Sequence, residues 1–279
     1  TFWHVLEDRL ASCPALAGRK VEVLNFGVGN YGTAQELLAM RARALAYAPD
    51  LVILTFTPAN DVRNNSRLLE RDELRPYFVY SGDQLIPDLS FRDANSFRQK
   101  RTRVSETLYA AINHSRLLQV LNAVKEANQT RRSAAQQAAQ GHTAELGAED
   151  QTFAPPPDEV WTEAWRVTEG ILAQMNREAS AYGARFLVVS LTYGAQVNPD
   201  PRARAAYARR LGVPDLLYPG QRLEALGVRE NFPVLDLAPR FQAEAERRGT
   251  SLHGFGKQVN LGHWNQTGHL LAGELIAQR

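Results

Sequence analysis

The apolar residues of this chain follow two patterns, short runs and longer stretches with helical spacing. Short runs typical of strands in a parallel sheet occupy residues 21–26, 51–56, 184–191 and 232–237. The stretches between them carry apolar residues three or four positions apart, which is the period of an amphipathic helix. Strands that alternate with helices predict a doubly wound parallel sheet between two helical layers, the three-layer α/β/α class.

Residues 62–158 interrupt this alternation and predict an insertion within a single domain that spans residues 1–279. Two short runs at residues 76–80 and 84–87 flank a glycine-containing turn, which predicts a hairpin. Residues 128–158 are rich in Ala, Gln, Glu and Pro and contain few large apolar side chains. We therefore expect this last stretch to be mobile, to be helical in part, and to lie outside the core.

Local signals mark the start of two helices. Thr33 and Glu36 are spaced as a capping box, in which each side chain satisfies a backbone N–H of the other residue. Asn265 precedes the last apolar helical stretch and is predicted to cap it. This cap places His263 in a loop beside a rigid helix, where an imidazole can be both oriented and accessible, as a general base requires.

Composition narrows the possible functions only a little. The 279 residues are 44% hydrophobic, which is enough for one sizeable core. The formal net charge of +2 gives no reason to expect a nucleic-acid partner. Cys13 is the single cysteine, so no intramolecular disulfide can form. Neither the oligomeric state nor the compartment follows from these properties.

Three polar features are predicted to meet at one edge of the sheet. The Gly-Asn-Tyr-Gly turn of residues 29–32 follows the first predicted strand, Asn60 follows the second, and the loop of His263 follows the last. Doubly wound sheets bind ligands beyond the carboxyl ends of their strands. Each feature alone also has a purely structural explanation, such as a tight turn or an Asx turn. Their common placement favours a functional site.

Two other chemistries receive little support from the sequence. A metal site could be assembled from His253, His263 and His269, but their spacing matches no zinc-binding pattern. Ser190 ends a predicted strand, and nothing around it marks it as a nucleophile. The sequence therefore predicts neither a metal nor a cofactor.

The polar features belong to three blocks that resemble a known family. The blocks are Asn25-x-Gly27-Val28-x-x-Tyr31-Gly32-Thr33, then Pro58-Ala59-Asn60-Asp61-Val62, then Gly262-His263-Trp264-Asn265 with Gly268-His269. Their order and their positions after strands resemble the SGNH (GDSL-type) hydrolases over essentially the whole chain. The resemblance implies a flavodoxin-like sheet of order 2-1-3-4-5 and the chemistry of a serine esterase.

The resemblance also implies roles for individual residues. His263 matches the general base, Asn60 matches a side-chain donor to the tetrahedral oxyanion, and a backbone N–H at about Asn30, beside Gly29, matches a second donor. The implied substrate is a carboxylic ester, including O-acyl esters of carbohydrates, and no cofactor is required. Because members of this architecture often carry an export signal or an upstream membrane anchor, the resemblance favours an extracytoplasmic location.

The chain departs from the family pattern at two positions of the catalytic triad. It contains no Gly-Asp-Ser motif, so we expect the first strand and the nucleophile to precede Thr1, leaving a slot between residues 21–26 and 51–56. Asn260 and Leu261 stand where the family has an aspartate. Asn260 can hold the imidazole by a neutral hydrogen bond, which stabilises imidazolium less than a carboxylate does. The chain alone is therefore expected to be inactive toward esters.

Two alternative functions remain open on sequence grounds. A polysaccharide O-acetyltransferase of the same family shares the acyl-serine step and differs only in the acceptor, a sugar hydroxyl in place of water. A non-catalytic binding module of the same fold is favoured by the missing acidic residue.

Overall fold

The computed structural model of the protein describes residues 1–139, 150–256 and 258–279. Its helices are α1 (Phe2–Ala11), α2 (Thr33–Ala42), α3 (Pro58–Asn64), α4 (Arg67–Glu70), α5 (Asn95–Lys100), α6 (Arg103–His114), α7 (Arg116–Ala139), α8 (Glu159–Ala181), α9 (Pro201–Leu211), α10 (Tyr218–Glu230), α11 (Ala238–Arg248) and α12 (Gln266–Ala277). Its strands are β1 (Leu51–Phe56), β2 (Tyr77–Ser81), β3 (Gln84–Asp88), β4 (Arg185–Ser190) and β5 (Val234–Asp236). Within the described ranges, no helix is both long and apolar enough to cross a membrane.

A parallel sheet of order β1-β4-β5 forms the centre of the molecule. The register aligns Leu51 with Arg185 at one end of the β1–β4 pair and Phe56 with Ser190 at the other. All three strands coincide with predicted apolar runs, so the sequence pattern located them correctly. The α/β class with a parallel sheet flanked by helices is confirmed.

Alternate side chains of the strands point to two separate cores. Leu54 of β1 and Phe186 of β4 pack into a cluster with side chains of α2, α8 and α10. Leu187 and Val189 of β4 face the opposite way, into a cluster with α1, α11 and α12. Because successive side chains of a strand alternate between its faces, this division places the sheet between two layers of helices.

The predicted strand at residues 21–26 is wrong. This segment belongs to no sheet, and the backbone N–H of Val23 instead donates a 3.0 Å hydrogen bond to Glu7 Oε1 of α1. The edge of β1 opposite β4 has no strand partner in the described chain. A strand forms only when a neighbour supplies the other half of the hydrogen-bond ladder, and residues 21–26 do not pair with β1.

The insertion contains the predicted hairpin. Strands β2 and β3 pair antiparallel around Gly82, with Tyr77 opposite Asp88 and Ser81 opposite Gln84. Tyr77 and Phe78 are buried, because the hairpin packs against α8 and α2. The hairpin is therefore anchored to the main domain by its first strand.

The prediction for residues 128–158 is only partly testable and is wrong where the chain returns to the domain. Residues 128–139 continue helix α7, and residues 140–149 lie outside the described ranges. Phe153 is buried, and its ring makes edge contacts with Tyr193 and Tyr207. Because residues 128–158 contain few apolar side chains on average, the sequence pattern did not reveal that Phe153 is buried.

The capping predictions had different outcomes. The cap of α2 lies one residue earlier than predicted, since Gly32 is the N-cap and its N–H donates a 3.2 Å bond to Gln35 Oε1. Thr33 is instead the first helical residue. The cap of α12 is confirmed, because Asn265 Oδ1 accepts a 3.0 Å bond from the N–H of Gly268.

Truncation of Leu172 tests the core that contains Leu54 of β1 and Phe186 of β4. Leu172 is fully buried in α8, so we expect Leu172→Ala to lower the free energy of unfolding by about 2–5 kcal/mol through lost contacts and the remaining cavity. The matched control is Leu68→Ala, whose side chain is mostly exposed and should change stability by less than about 0.5 kcal/mol. Urea unfolding followed by circular dichroism measures both, and equal effects would contradict this core.

Candidate functional site

The candidate site begins where β1 and β4 end together. The N–H of Leu191, directly after β4, donates a 2.8 Å bond to the carbonyl of Phe56, the last residue of β1. The two following segments therefore leave the sheet at the same edge. Pro58 occupies the first turn of α3, where the missing N–H of proline costs no helical hydrogen bond. Asn60 lies in that first turn and is half-buried.

A buried carboxyl group holds the turn around Asn60. Asp61 Oδ2 accepts a 2.6 Å bond from the N–H of Thr57. Burial raises the pKa of Asp61 to about 7, although this hydrogen bond and the charge of Arg75 act in the opposite direction. Burial and the nearby Asp61 also raise the pKa of Glu36 well above its usual value. The segment behind Asn60 thus contains the buried carboxyl group of Asp61, whose charge also acts on Glu36.

The glycine turn packs against the same helix. Any Cβ at Gly32 would come within 2.7 Å of the Asn64 Cβ, so only glycine allows this approach. Asn30 adopts a left-handed backbone conformation with φ of 66°, which asparagine tolerates better than most residues. Arg75 Nη2 donates a 3.0 Å bond to the carbonyl of Asn30. Gly29 and Asn30 are otherwise exposed at the edge of the sheet.

Arg75 was not identified from the sequence, yet it connects the turn to the insertion. Its side chain is buried, and its guanidinium lies 3.7 Å from the carboxylate of Glu70 and 3.9 Å from that of Asp72. A buried guanidinium is stable only when carboxylates and carbonyl acceptors surround it. The carbonyl of Asn30 is one of these acceptors, so the insertion fixes the orientation of the glycine turn.

The loop of His263 is attached to the end of β4 by a buried hydrogen-bond network. Trp264 Nε1 donates a 2.8 Å bond to Thr192 Oγ1. The same Thr192 oxygen lies 2.8 Å from His253 Nε2, and His253 Nδ1 lies 2.7 Å from the carbonyl of Gly262. The network therefore holds the residues on both sides of His263.

The proton positions in this network follow from its acceptors. A carbonyl can only accept, so His253 Nδ1 carries the proton and donates to Gly262. The Nε2 atom must then accept the hydroxyl proton of Thr192. Burial lowers the pKa of His253 to about 4, which keeps the ring in this neutral form.

His263 itself is exposed, and no salt bridge or hydrogen bond of its ring occurs in the described chain. Its backbone is fixed, since its carbonyl accepts a 2.9 Å bond from the N–H of Gly254. The ring is thus free to meet a substrate or a hydroxyl group, as a general base must.

Asn260 lies in a loop that touches the segment after β4. A Cβ at Gly194 would come within 1.9 Å of the Asn260 carbonyl, so these two loops touch. Asn260 has a left-handed backbone, with φ of 63°. Its side-chain Oδ1 is buried and has no hydrogen-bond partner among the described residues. The predicted neutral hydrogen bond to His263 stays a prediction.

Ser190 is buried and not accessible to a substrate. It is buried at the end of β4, opposite Asp236 of β5. Burial raises the pKa of Asp236 to about 6. Because Ser190 is inaccessible, it is a structural residue of the sheet end.

A groove of about 550 Å³ lies elsewhere in the molecule, between the hairpin and α8. Its walls include Tyr80, Arg166 and Arg229. Its lining includes neither Asn60, the glycine turn nor His263, so the groove is separate from the candidate site.

The structure thus brings one pair of the predicted features into contact, and it joins the third to the end of β4. The turn of residues 29–32 and the helix of Asn60 meet through Gly32 and Arg75. The loop of His263 meets the end of β4 through Thr192 and His253. No hydrogen bond joins His263 to Asn60 or to Asn30 in the described ranges. No family model, curated protein or solved structure matches this chain.

The buried network predicts an unusual titration of His253. In the folded protein the residue takes up a proton only near pH 4, whereas an unfolded histidine does so near pH 6.5. The unfolded state therefore binds more protons between these values, and stability decreases as the pH falls from 6.5 to 4. The contribution of His253 to this loss is about 3 kcal/mol.

NMR titration of the histidine Cε1–H signals measures this pKa directly. The signal that disappears in His253→Gln should titrate near pH 4, and that variant should show a smaller loss of stability on acidification. His4→Gln is the control, because His4 is exposed and lies outside the network. A pKa of His253 near 6.5 would contradict the buried network.

Proposed function

We propose that the chain forms the main part of an SGNH-type serine hydrolase of carboxylic esters, including O-acyl esters of carbohydrates. The supporting observation is the edge of the sheet at which β1 and β4 end. There, Asn60, the glycine turn and the loop of His263 are each fixed by buried polar contacts, while their functional groups remain accessible. The order β1-β4-β5 is compatible with the last three strands of a flavodoxin-like sheet of order 2-1-3-4-5.

In this proposal the nucleophilic serine follows a strand outside residues 1–279 that pairs with the open edge of β1. The sequence contains no Gly-Asp-Ser motif, and β1 has a partner on only one side in the described chain. A parallel strand that is hydrogen-bonded to the open side of β1 would end beside Asn60. Its next residues would lie between the glycine turn and the segment after β1, within reach of the His263 loop.

The proposed reaction uses the residues as follows. His263 removes the serine hydroxyl proton as the oxygen attacks the ester carbonyl carbon. The resulting oxyanion accepts hydrogen bonds from the side-chain amide of Asn60 and from the backbone N–H groups at Asn30 and Gly29. Collapse of the intermediate breaks the bond to the alcohol oxygen, which receives the proton from His263. Water then hydrolyses the acyl-serine by the same steps.

Arg75 supports this proposal by holding the carbonyl of Asn30. The Asn30 carbonyl shares its planar peptide unit with the N–H of Tyr31, which donates a 3.2 Å bond to the Val28 carbonyl. Both ends of this unit are therefore held, which limits rotation of the turn next to the Asn30 N–H. Donors that are fixed before the reaction stabilise an oxyanion without reorganisation at the moment of bond formation. The insertion therefore contributes to the chemistry although it supplies no reacting group.

One observation favours a second candidate, a non-catalytic binding module. No carboxylate of the described chain pairs with the ring of His263, and Asn260 Oδ1 has no partner there. Without an anionic partner, imidazolium gains little stabilisation during proton transfer. A binding module needs no such partner and would retain the same accessible edge.

The test uses the longer form of the protein that this proposal requires, and p-nitrophenyl acetate as the substrate. We expect His263→Ala to lower kcat by about 10²–10⁴-fold through loss of the general base. Asn60→Ala should lower kcat by about 10²–10³-fold through loss of one oxyanion donor. Residues 1–279 alone should show no turnover that depends on His263.

Matched controls are His4→Ala and Asn113→Ala, which change exposed residues of the same types away from the site. Both should retain the kcat of the unmodified protein. Equal activity of the unmodified, His263→Ala and Asn60→Ala proteins would overturn the esterase proposal, and complete inactivity of the longer protein would favour the binding module.

A further inference from the structure

Helices α5, α6 and α7 of the insertion form what we call the basic arm, defined by residues 95–139. Several of its large apolar side chains are exposed. Val104 of α6 is 79% exposed, and four residues of α7 are 54–69% exposed, namely Leu117, Val120, Leu121 and Val124. The four positions of α7 are spaced i, i+3, i+4 and i+7, so they form one stripe along the helix.

This stripe is exposed, whereas the apolar face of the other long helix, α8, is covered. The apolar face of α8 is buried against the sheet and the hairpin, as Trp165, Ile171 and Leu172 show. The stripe of α7 has no comparable cover in the described chain. Contiguous apolar exposure on a protein surface marks a site of interaction more often than chance placement.

The charge of the basic arm identifies the kind of partner. Residues 95–139 contain eight Lys or Arg and two Asp or Glu, a net charge of +6, whereas the whole chain carries +2. The rest of the molecule is therefore net negative. Two arms of like charge repel each other, which disfavours a second copy as the partner. The arm instead complements an anionic surface.

We propose that the basic arm docks on an anionic lipid bilayer surface. A helix with an apolar stripe and cationic flanks lies in the plane of the bilayer interface. The exposed stripe from Leu117 to Val124 would enter the boundary between headgroups and acyl chains. Arg103, Arg116 and Lys125 are exposed on the same arm and would contact the lipid phosphates. This inference is independent of the proposed ester chemistry.

Vesicle flotation tests the proposal with liposomes of phosphatidylcholine alone or mixed with phosphatidylglycerol. We expect binding to the mixed vesicles at about 0.1 M salt and its loss near 1 M salt, where charge interactions are screened. Leu117→Ser combined with Leu121→Ser should weaken binding by about tenfold or more, since two apolar side chains leave the interface. Leu68→Ser is the control for an exposed leucine outside the arm and should bind normally.

A second pair of variants tests whether binding depends on where the positive charges lie or only on how many there are. Neutralising Arg103, Arg116 and Lys125 to Gln should weaken binding to the mixed vesicles by about tenfold or more. The same change at Arg202, Arg209 and Arg240, which are exposed outside the arm, should leave binding unchanged. Far-UV circular dichroism confirms that each variant is folded.

Three results would overturn the proposal. One is equal binding to the two kinds of vesicle, and another is unchanged binding of the arm variants. The third is a dimer in solution that depends on Leu117 and Leu121, which would identify a second copy as the partner. None of these results depends on whether the protein hydrolyses esters.

Discussion

The parallel pairing of β1 with β4 is the constraint on which the candidate site depends. Their register ends with Phe56 beside Ser190, and the Leu191 N–H continues the contact to the Phe56 carbonyl. The segments that follow β1 and β4 therefore begin at the same level along the strand direction. A one-residue shift of this register would change the relative positions of Asn60 and Thr192 and reverse which side chains face the two cores. Burial of both faces makes such a shift costly, so the hydrophobic cores also fix the geometry of the polar edge.

The polar contacts at this edge share one principle, which is that buried groups immobilise the backbone next to exposed ones. His253 and Thr192 are buried, and they hold the residues on both sides of the exposed His263. Arg75 is buried, and it holds the exposed turn at Asn30. A functional group on a loop is useful only if the loop has one conformation. The insertion thus has two roles in this account, since one part orients the glycine turn and another presents a basic, apolar surface.

Local patterns predicted the fold well wherever the local signal and the tertiary environment agreed. The apolar run at residues 51–56 is a strand, whereas the run at residues 21–26 is not, because a strand also needs a partner that its own sequence does not contain. The cap of α2 was displaced by one residue because Gln35, rather than Glu36, reaches the backbone of Gly32. The predicted placement of three features after strand ends follows from topology. Thr192 and His253 were not identified as a pair because 61 positions separate them.

The most direct test of the proposed site is a crystal structure of the longer protein that the proposal requires, after reaction with a p-nitrophenyl phosphonate. Such a reagent leaves a tetrahedral phosphorus on an active serine, and its oxygen stands in for the oxyanion. We expect this oxygen to lie about 2.7–3.1 Å from Asn60 Nδ2 and from the backbone nitrogen at Asn30. We also expect the ring of His263 to lie within hydrogen-bond reach of the serine oxygen. A phosphonate bound away from the ends of β1 and β4, or one that contacts neither Asn60 nor His263, would contradict the account.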